Sequence, residues 1–159
     1  MTSDFSYLGN IDLWEFPKTA YLCSDRYSAG SVLKSYDWAS EMKKKGCCVI
    51  SGFLSKLEKD VYAILEKGTQ PIIYVLACSI YDKPHPDLKK HIDAGRLLVI
   101  STFPPGIPRY NRERATIRNQ FIVDNADEIV YAHVHPGGML EKLRLREGLP
   151  VRVLDKEDT

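Results

Sequence analysis

A chain of 159 residues is most simply one domain, long enough to bury a substantial core. With 44% hydrophobic residues, 27% charged residues and a net charge of only +1, it has the balance of an ordinary soluble globular protein, which excludes bulk electrostatic attraction to nucleic acid or membrane. Any basic function must therefore be local. No apolar run approaches the roughly 18 to 20 residues of a membrane span. Residues 1–18 carry acids where a secretory signal has an apolar core, so the cytoplasm is the expected compartment.

In chain order, residues 1–18 lack periodicity and read as an arm packing Tyr7, Leu8, Leu13, Trp14 and Phe16 onto a domain that spans residues 19–155. A first strand is predicted at Thr19–Cys23, then a polar loop, Ser24–Ser28, and a helix over Ala29–Lys45 with Val32, Leu33, Tyr36, Ala39 and Met42 at helical spacing. Lys43, Lys44 and Lys45 suit the carbonyl end of that helix, and Gly46 is its C-cap. Cys47–Ile50 is a second strand. Ser55 followed three residues later by Glu58 has the spacing of a capping box and opens a helix reaching about Lys67. A third strand at Pro71–Ala77, a helix from about Pro86 to Ala94 and a fourth strand at Arg96–Ser101 follow, and then FPPGIP forces a surface loop over residues 103–108. The next helix ends near Asn125, a strand runs from Glu128 to Val134, and a Pro-Gly-Gly turn opens another helix. Val151–Leu154 is a last short strand before a polar tail at 156–159.

The strands are short, apolar and without polar alternation, which is how strands covered on both faces read. The prediction is an α/β fold, a three-layer Rossmann-like sandwich with a mainly parallel sheet of about six strands. Ligands bind such sheets beyond the carboxyl ends of the strands. The loops expected there are 24–28, 51–55, 78–82, 101–112 and 133–138.

Chemistry concentrates in those loops. Arg109, Arg112, Arg114 and Arg118 fall within ten residues against one acid, Glu113. Arg114 and Arg118 lie one helical turn apart, and cations at a helix N-terminus oppose its dipole, a conflict that a bound anion would resolve. Arg118 beside Asn119 offers a guanidinium fork for phosphate, with salt bridging to Asp124, Asp127 or Glu128 as the alternative. Ser51, Gly52 and Ser55 can present hydroxyls and N–H groups to an anion, although Ser55 is equally explained as a cap. Pro136, Gly137 and Gly138 form a turn that either admits a ligand to the backbone or is merely tight. No nucleophile elbow or P-loop is present. Glu58 and Glu141 are the carboxylates placed for acid or base work, unless Glu58 only completes its capping box or Glu141 pairs with Lys142 or Arg144. Cys23, Cys47, Cys48 and Cys78 form no CxxC pair and read as reduced thiols. His133 and His135 alternate along the predicted strand and so share a face, and with His85 and His91 they make no convincing metal set.

With those residues in view, the chain resembles the Rossmann-type core of the DNA-processing protein A (DprA, or Smf) family, within a superfamily that also holds the LOG (Lonely Guy) phosphoribohydrolases. The resemblance runs from Tyr7 to Leu154. It rests on YLGN and PK leading into the first strand, CSDRYSAG in place of a Gly-Ser-Arg loop, VISG at 49–52, RNQFIVDNADEIVYAH with Arg118 and Asn119 retained, and PGG at 136–138. It implies a protein that binds single-stranded DNA or a nucleotide in DNA processing or recombination, without a cofactor, and with a homodimer as the family state. Ser24, Arg26, Ser51, Gly52, Ser55, Lys56, Arg114, Arg118, Asn119, Pro136, Gly137 and Gly138 are then the expected ligand contacts. The chain departs from the family where FLSKLEKD follows Ser51-Gly52 in place of an arginine-bearing loop, and Gln120 stands for a second arginine. The LOG likeness implies a nucleotide hydrolase using Arg118 and Glu141, or a sensor of a nucleotide-derived ligand. The spacing from the glycines to Glu141 is shorter than in those enzymes.

Overall fold

The structure is a computed structural model describing residues 4–157. The first three residues of the expected arm and the last two of the polar tail lie outside the described residues. Seven strands form one sheet in the order β1-β5-β4-β3-β2-β6-β7. They are β1 (Ser6–Gly9), β2 (Lys18–Leu22), β3 (Cys48–Ser51), β4 (Ile72–Leu76), β5 (Leu97–Ser101), β6 (Glu128–Tyr131) and β7 (Val151–Val153). β1 runs antiparallel to β5, and every other pairing is parallel. The six parallel strands agree with the sequence pattern. β1 adds an edge strand inside the arm, where four residues of mixed polarity carry no periodic signal.

Successive side chains of a strand point to opposite faces, and here both faces are covered. Tyr21, Val49, Ile72, Val99 and Val130 enter a core with Trp38, Ala39 and Met42 of α1 (Gly30–Lys45), Leu57, Val61 and Leu65 of α2 (Lys56–Leu65), and Leu88 and Ile92 of α3 (Pro86–Asp93). Their neighbours Ala20, Ile50, Ile73, Leu98 and Ile129 face Ile122 and Val123 of α4 (Arg112–Asn125) and Leu13 of a 3-10 turn at Ile11–Glu15. Each fully buried aliphatic side chain contributes about 1.5–3 kcal/mol, so the two layers hold the sheet between them. On the α4 side Trp14 stacks on Phe121 with ring centroids 5.8 Å apart, which fixes the arm to the helix.

The buried face of α1 differs from the expected one. Ser31, Ser35 and Trp38 point inward with Ala39 and Met42, while Leu33 is 71% exposed. Ser35 is inside because its Oγ accepts a 2.8 Å hydrogen bond from the buried Tyr21 hydroxyl, and Trp38 stacks on the Tyr21 ring. The capping box of α2 is present, with Ser55 as N-cap and Glu58 as its reciprocal partner. α1 ends at Gly46 in the left-handed conformation, as read.

The helix expected after the Pro-Gly-Gly turn is instead one 3-10 turn, Leu140–Lys142. The chain must travel from the carboxyl end of β6 back to the amino end of β7. The eight residues 143–150 between those elements would span about 12 Å as a helix but about 26 Å extended. Gln120 holds this return by accepting from Arg144 N at 3.1 Å and donating to Arg144 O at 2.8 Å. Arg146 donates to the carbonyls of Val123 and Ala126, closing the last turn of α4. No helix among the described residues is long and apolar enough to cross a membrane.

The chain moves outward through β2, β3, β4 and β5 and then returns to place β6 on the other side of β2. The switch point therefore lies between β2 and β6, and the crevice such sheets offer a ligand opens above their carboxyl ends.

Candidate functional site

A cleft of about 560 Å³ occupies that position. Its wall is built from four segments: residues 23–26 after β2, Leu54, Ser55 and Glu58 at the start of α2, Tyr110, Asn111, Arg112, Ala115, Arg118 and Asn119 leading into and along the first half of α4, and residues 135–140 after β6. Three guanidinium groups, Arg26, Arg112 and Arg118, line it against two carboxylates, Asp25 and Glu58.

Arg118 forms its floor. The side chain is 3% exposed, with Nε donating to Asn119 Oδ1 at 2.8 Å and Nη1 to the Val75 carbonyl at 3.1 Å. No other hydrogen bond from the guanidinium, and no ion pair, is formed among the described residues, so part of a five-donor fork is unused. The alternative pairing with Asp124, Asp127 or Glu128 does not occur. Burial pulls the guanidinium below its ordinary pKa, a shift that the charge of Glu58 opposes. The group nonetheless stays charged at neutral pH. A buried cation of this kind is expensive unless a negative partner arrives.

Gly52 makes room for Arg118. A Cβ there would lie 2.1 Å from Arg118 Nη1 and 2.2 Å from Cζ, so only glycine leaves room for the guanidinium. Ser51 is fully buried, and its Oγ accepts from Phe53 N at 3.2 Å. Phe53 has φ of +46°, rare for a bulky residue and costing about 1–3 kcal/mol. Its ring is buried edge-on to Tyr62 and Tyr74 with centroids 5.0 and 5.1 Å apart, which offsets the strain.

Glu58 is committed to the backbone. Its Oε1 accepts from Leu54 N at 3.0 Å and Ser55 N at 3.1 Å, and its Oε2 accepts from Cys23 N at 3.0 Å. One carboxylate thus ties the end of β2 to the start of α2. Ser55 lines the cleft as N-cap, whereas Lys56 lies outside the lining, 76% exposed and 3.5 Å from Asp60.

The loops after β2 and β6 are stitched together. Ser24 N donates to His133 O at 3.2 Å, and Ser24 Oγ accepts from His135 N at 2.9 Å. Arg26 is exposed at the rim. β6 stops at Tyr131, so His133 and His135 do not share a strand face: His135 lines the cleft and His133 turns away to Asp155. Gly137, with φ of +73°, needs the left-handed conformation, and its N–H donates to Glu141 Oε1 at 2.9 Å. Glu141 is therefore an exposed brace of the turn and lies outside the cleft lining. A Cβ on Gly138 would be 3.0 Å from His135 O, so the turn itself is tight. Pro136, Gly137 and Gly138 nonetheless all reach the cleft.

On α4, Asn111 is the N-cap and accepts from Arg114 N at 2.7 Å. Arg112 lines the cleft, whereas Arg114 does not and donates to Arg109 O at 3.1 Å. The loop at 78–82 also lies apart, bonded to the proline-rich loop through Ser79 N to Ile107 O at 2.8 Å. Asn119 receives Arg118 on one side and donates to Met139 Sδ at 3.2 Å on the other, joining the floor to the glycine turn. Asp25, Asn111, His135 and Met139 are lining residues absent from the sequence-derived set. Asn immediately before a helical run is a legible cap signal; Met139 carries no signal of its own.

No protein-family model matches the chain, and no curated protein matches it. Among solved structures, it is similar to DNA processing protein A from Streptococcus pneumoniae, with a TM-score of 0.68 at 20% identity over 85% of this chain and 48% of that one. It is equally similar to DNA processing protein A from Helicobacter pylori, described for its single-stranded DNA binding mode, with a TM-score of 0.68 at 17% identity over 86% of this chain and 63% of that one. A molybdenum cofactor binding protein from Rippkaea orientalis matches with a TM-score of 0.58 at 13% identity over 86% of this chain and 75% of that one. The likeness is one of fold. The chain spans about half to two thirds of the length of the two DNA processing proteins.

Proposed function

We propose that the cleft binds the phosphates of a nucleotide chain, with single-stranded DNA as the ligand and DNA processing or recombination as the process. The observation that carries this reading is the buried, unpaired Arg118 guanidinium at a sheet switch point, flanked by Arg26 and Arg112. A phosphate supplies the missing negative partner and can accept the unused donors of the fork. Two helix starts, at Ser55 and Asn111, add their partial positive charge to the same space. Tyr110, 57% exposed on the lining, offers a ring to a base. The shared fold with a DNA processing protein described for single-stranded DNA binding supports the choice of ligand.

Free nucleotide is the second reading, favoured by the cleft volume of about 560 Å³, which falls in the range of small-molecule sites, roughly 300–1,000 Å³. Titration of a fluorescent oligothymidylate against the full chain at rising salt separates the two. Neutralising three phosphates on a single strand gives a slope of log K against log salt of about −2, and Arg118→Ala should remove about one third of it. Absence of oligonucleotide binding at low salt, with tight binding of a nucleoside monophosphate, would favour the second reading. Release of free base from that monophosphate would overturn both in favour of a hydrolase.

A further inference from the structure

The β2 and β6 loops that bear much of the cleft rim are also joined from behind by a residue outside the cleft lining. Asp155, in the 3-10 turn that follows β7 (Leu154–Lys156), has a side chain 9% exposed. Its Oδ2 accepts from Ser28 Oγ at 2.8 Å, at the end of the β2 loop, and from His133 Nδ1 at 2.5 Å, at the start of the β6 loop. Asp155 N donates to Ala132 O at 3.3 Å, fixing the carboxylate relative to β6. Its Oδ1 is buried without a partner, so Oδ2 alone carries both links. Beyond them the two loops meet through the Ser24 contacts with His133 and His135 at the cleft.

We propose that Asp155 is a positioning residue: by holding Ser28 and His133 on one oxygen it sets the separation of the two rim loops and hence the affinity of the cleft for its phosphate ligand. The last step rests on the nucleotide reading above. The latch itself does not. Ser24, Asp25 and Arg26 ride on one latched loop, and His135, Pro136 and Gly137 on the other, so releasing Oδ2 frees both sides of the same opening. The charged and titratable groups around the latch are His133 from the β6 loop, Lys156 on its own turn, and Cys23 at the end of β2, which itself faces Glu58 and Asp25. From α1, Lys34 donates to the Glu157 carbonyl and anchors the end of the turn.

The test combines hydrogen exchange of free protein with oligothymidylate and nucleoside monophosphate titrations, on wild type, Asp155→Asn, Ser28→Ala and His133→Gln. Ser28→Ala removes one link from a half-buried site and keeps the fold where Asp155 variants fail. Faster exchange in residues 23–28 and 133–138, with affinity reduced about five- to tenfold, is expected. In Ser28→Ala the faster exchange should stay confined to those two loops and track the loss of affinity, with β3, β4 and β5 exchanging at the wild-type rate, which a merely structural role would not produce. Wild-type exchange and affinity in Ser28→Ala and Asp155→Asn would overturn the latch while leaving the nucleotide reading intact. A wild-type protein that binds neither probe would overturn that reading and the latch's part in it.

Discussion

Replacing Gly52 by alanine adds one methyl group, and its cost follows from a single side chain. The backbone at Gly52 is not in the left-handed region, so alanine brings no torsional strain there. The new Cβ instead falls 2.1 Å from Arg118 Nη1. An arginine tip would ordinarily swing aside, but this one is 3% exposed and bonded to Val75 O and Asn119 Oδ1. Hydrogen bonds to charged groups contribute about 1.5–3 kcal/mol each, and part returns as the displaced guanidinium is rehydrated in the cleft. The net loss is about 2–3 kcal/mol, or a fall in Tm of roughly 4 to 12 °C for a domain of this size. Ligand affinity should fall at least tenfold, since the fork leaves its position. In an Arg118→Ala background the same substitution meets no obstacle, and the lower entropy of the unfolded chain should make it stabilising by about 0.4–1 kcal/mol. Urea unfolding of the four proteins of this cycle reads the sign change directly. Equal destabilisation by Gly52→Ala in both backgrounds would refute the assignment of Gly52 as the seat of Arg118.

Glu58→Gln replaces an acceptor-only group by one that presents N–H to at least one of the amides of Cys23, Leu54 and Ser55, and should cost about 2 kcal/mol in urea unfolding; an unchanged midpoint would contradict the tie between β2 and α2. Burial pushes the Cys48 thiol up to about 12 and the Cys23 thiol higher still, while Cys47 is partly exposed. Only the thiolate alkylates, so iodoacetamide at pH 9 should leave Cys23 and Cys48 unlabelled in the native protein and label them once urea unfolds it, as read by peptide mass spectrometry. For Asp155, burial alone would raise the carboxyl pKa, but the hydrogen bonds from His133 and Ser28 outweigh it and hold it below the ordinary carboxylate range. The stabilisation is complete above about pH 4 and is lost as pH falls through the lowered value, so the difference in stability between wild type and Asp155→Asn should shrink under acid.

The sheet was legible because a parallel strand buried on both faces reads as a near-continuous apolar run, and β3, β4 and β5 supply one, interrupted only by the serines that end β3 and β5. The capping box at Ser55 and Glu58 was legible for the same reason of local sufficiency. Where a residue's role is set by something distant in sequence, the pattern was silent or misleading. Leu33 fits the helical stripe of α1, yet the Tyr21 hydroxyl draws Ser35 inward and turns Leu33 to solvent. Gly52 reads as a phosphate-binding glycine, and only the placement of Arg118, 66 positions later by its numbering, gives it another occupant. The arginine cluster divided in the same way: Arg112 and Arg118 reach the cleft, whereas Arg114 is taken up by the Arg109 carbonyl.

The carboxylates carry the deeper consequence for chemistry. A general acid or base must exchange a proton with a reacting atom within hydrogen-bond reach. Glu58 is at the cleft, but its two oxygens already accept three backbone N–H groups, and protonating it would break the junction between β2 and α2. Glu141 keeps a freer carboxylate, but one that braces Gly137 outside the lining. Asp25 is the remaining acid on the lining, exposed on the same loop as Arg26. Neither glutamate is therefore free to carry a proton into the cleft, whereas His135 shares the lining with Asp25. Asp25 and His135, rather than either glutamate, are thus the lining residues whose removal should decide whether the cleft turns over a nucleotide: unchanged activity in both variants would exclude them as its acid or base.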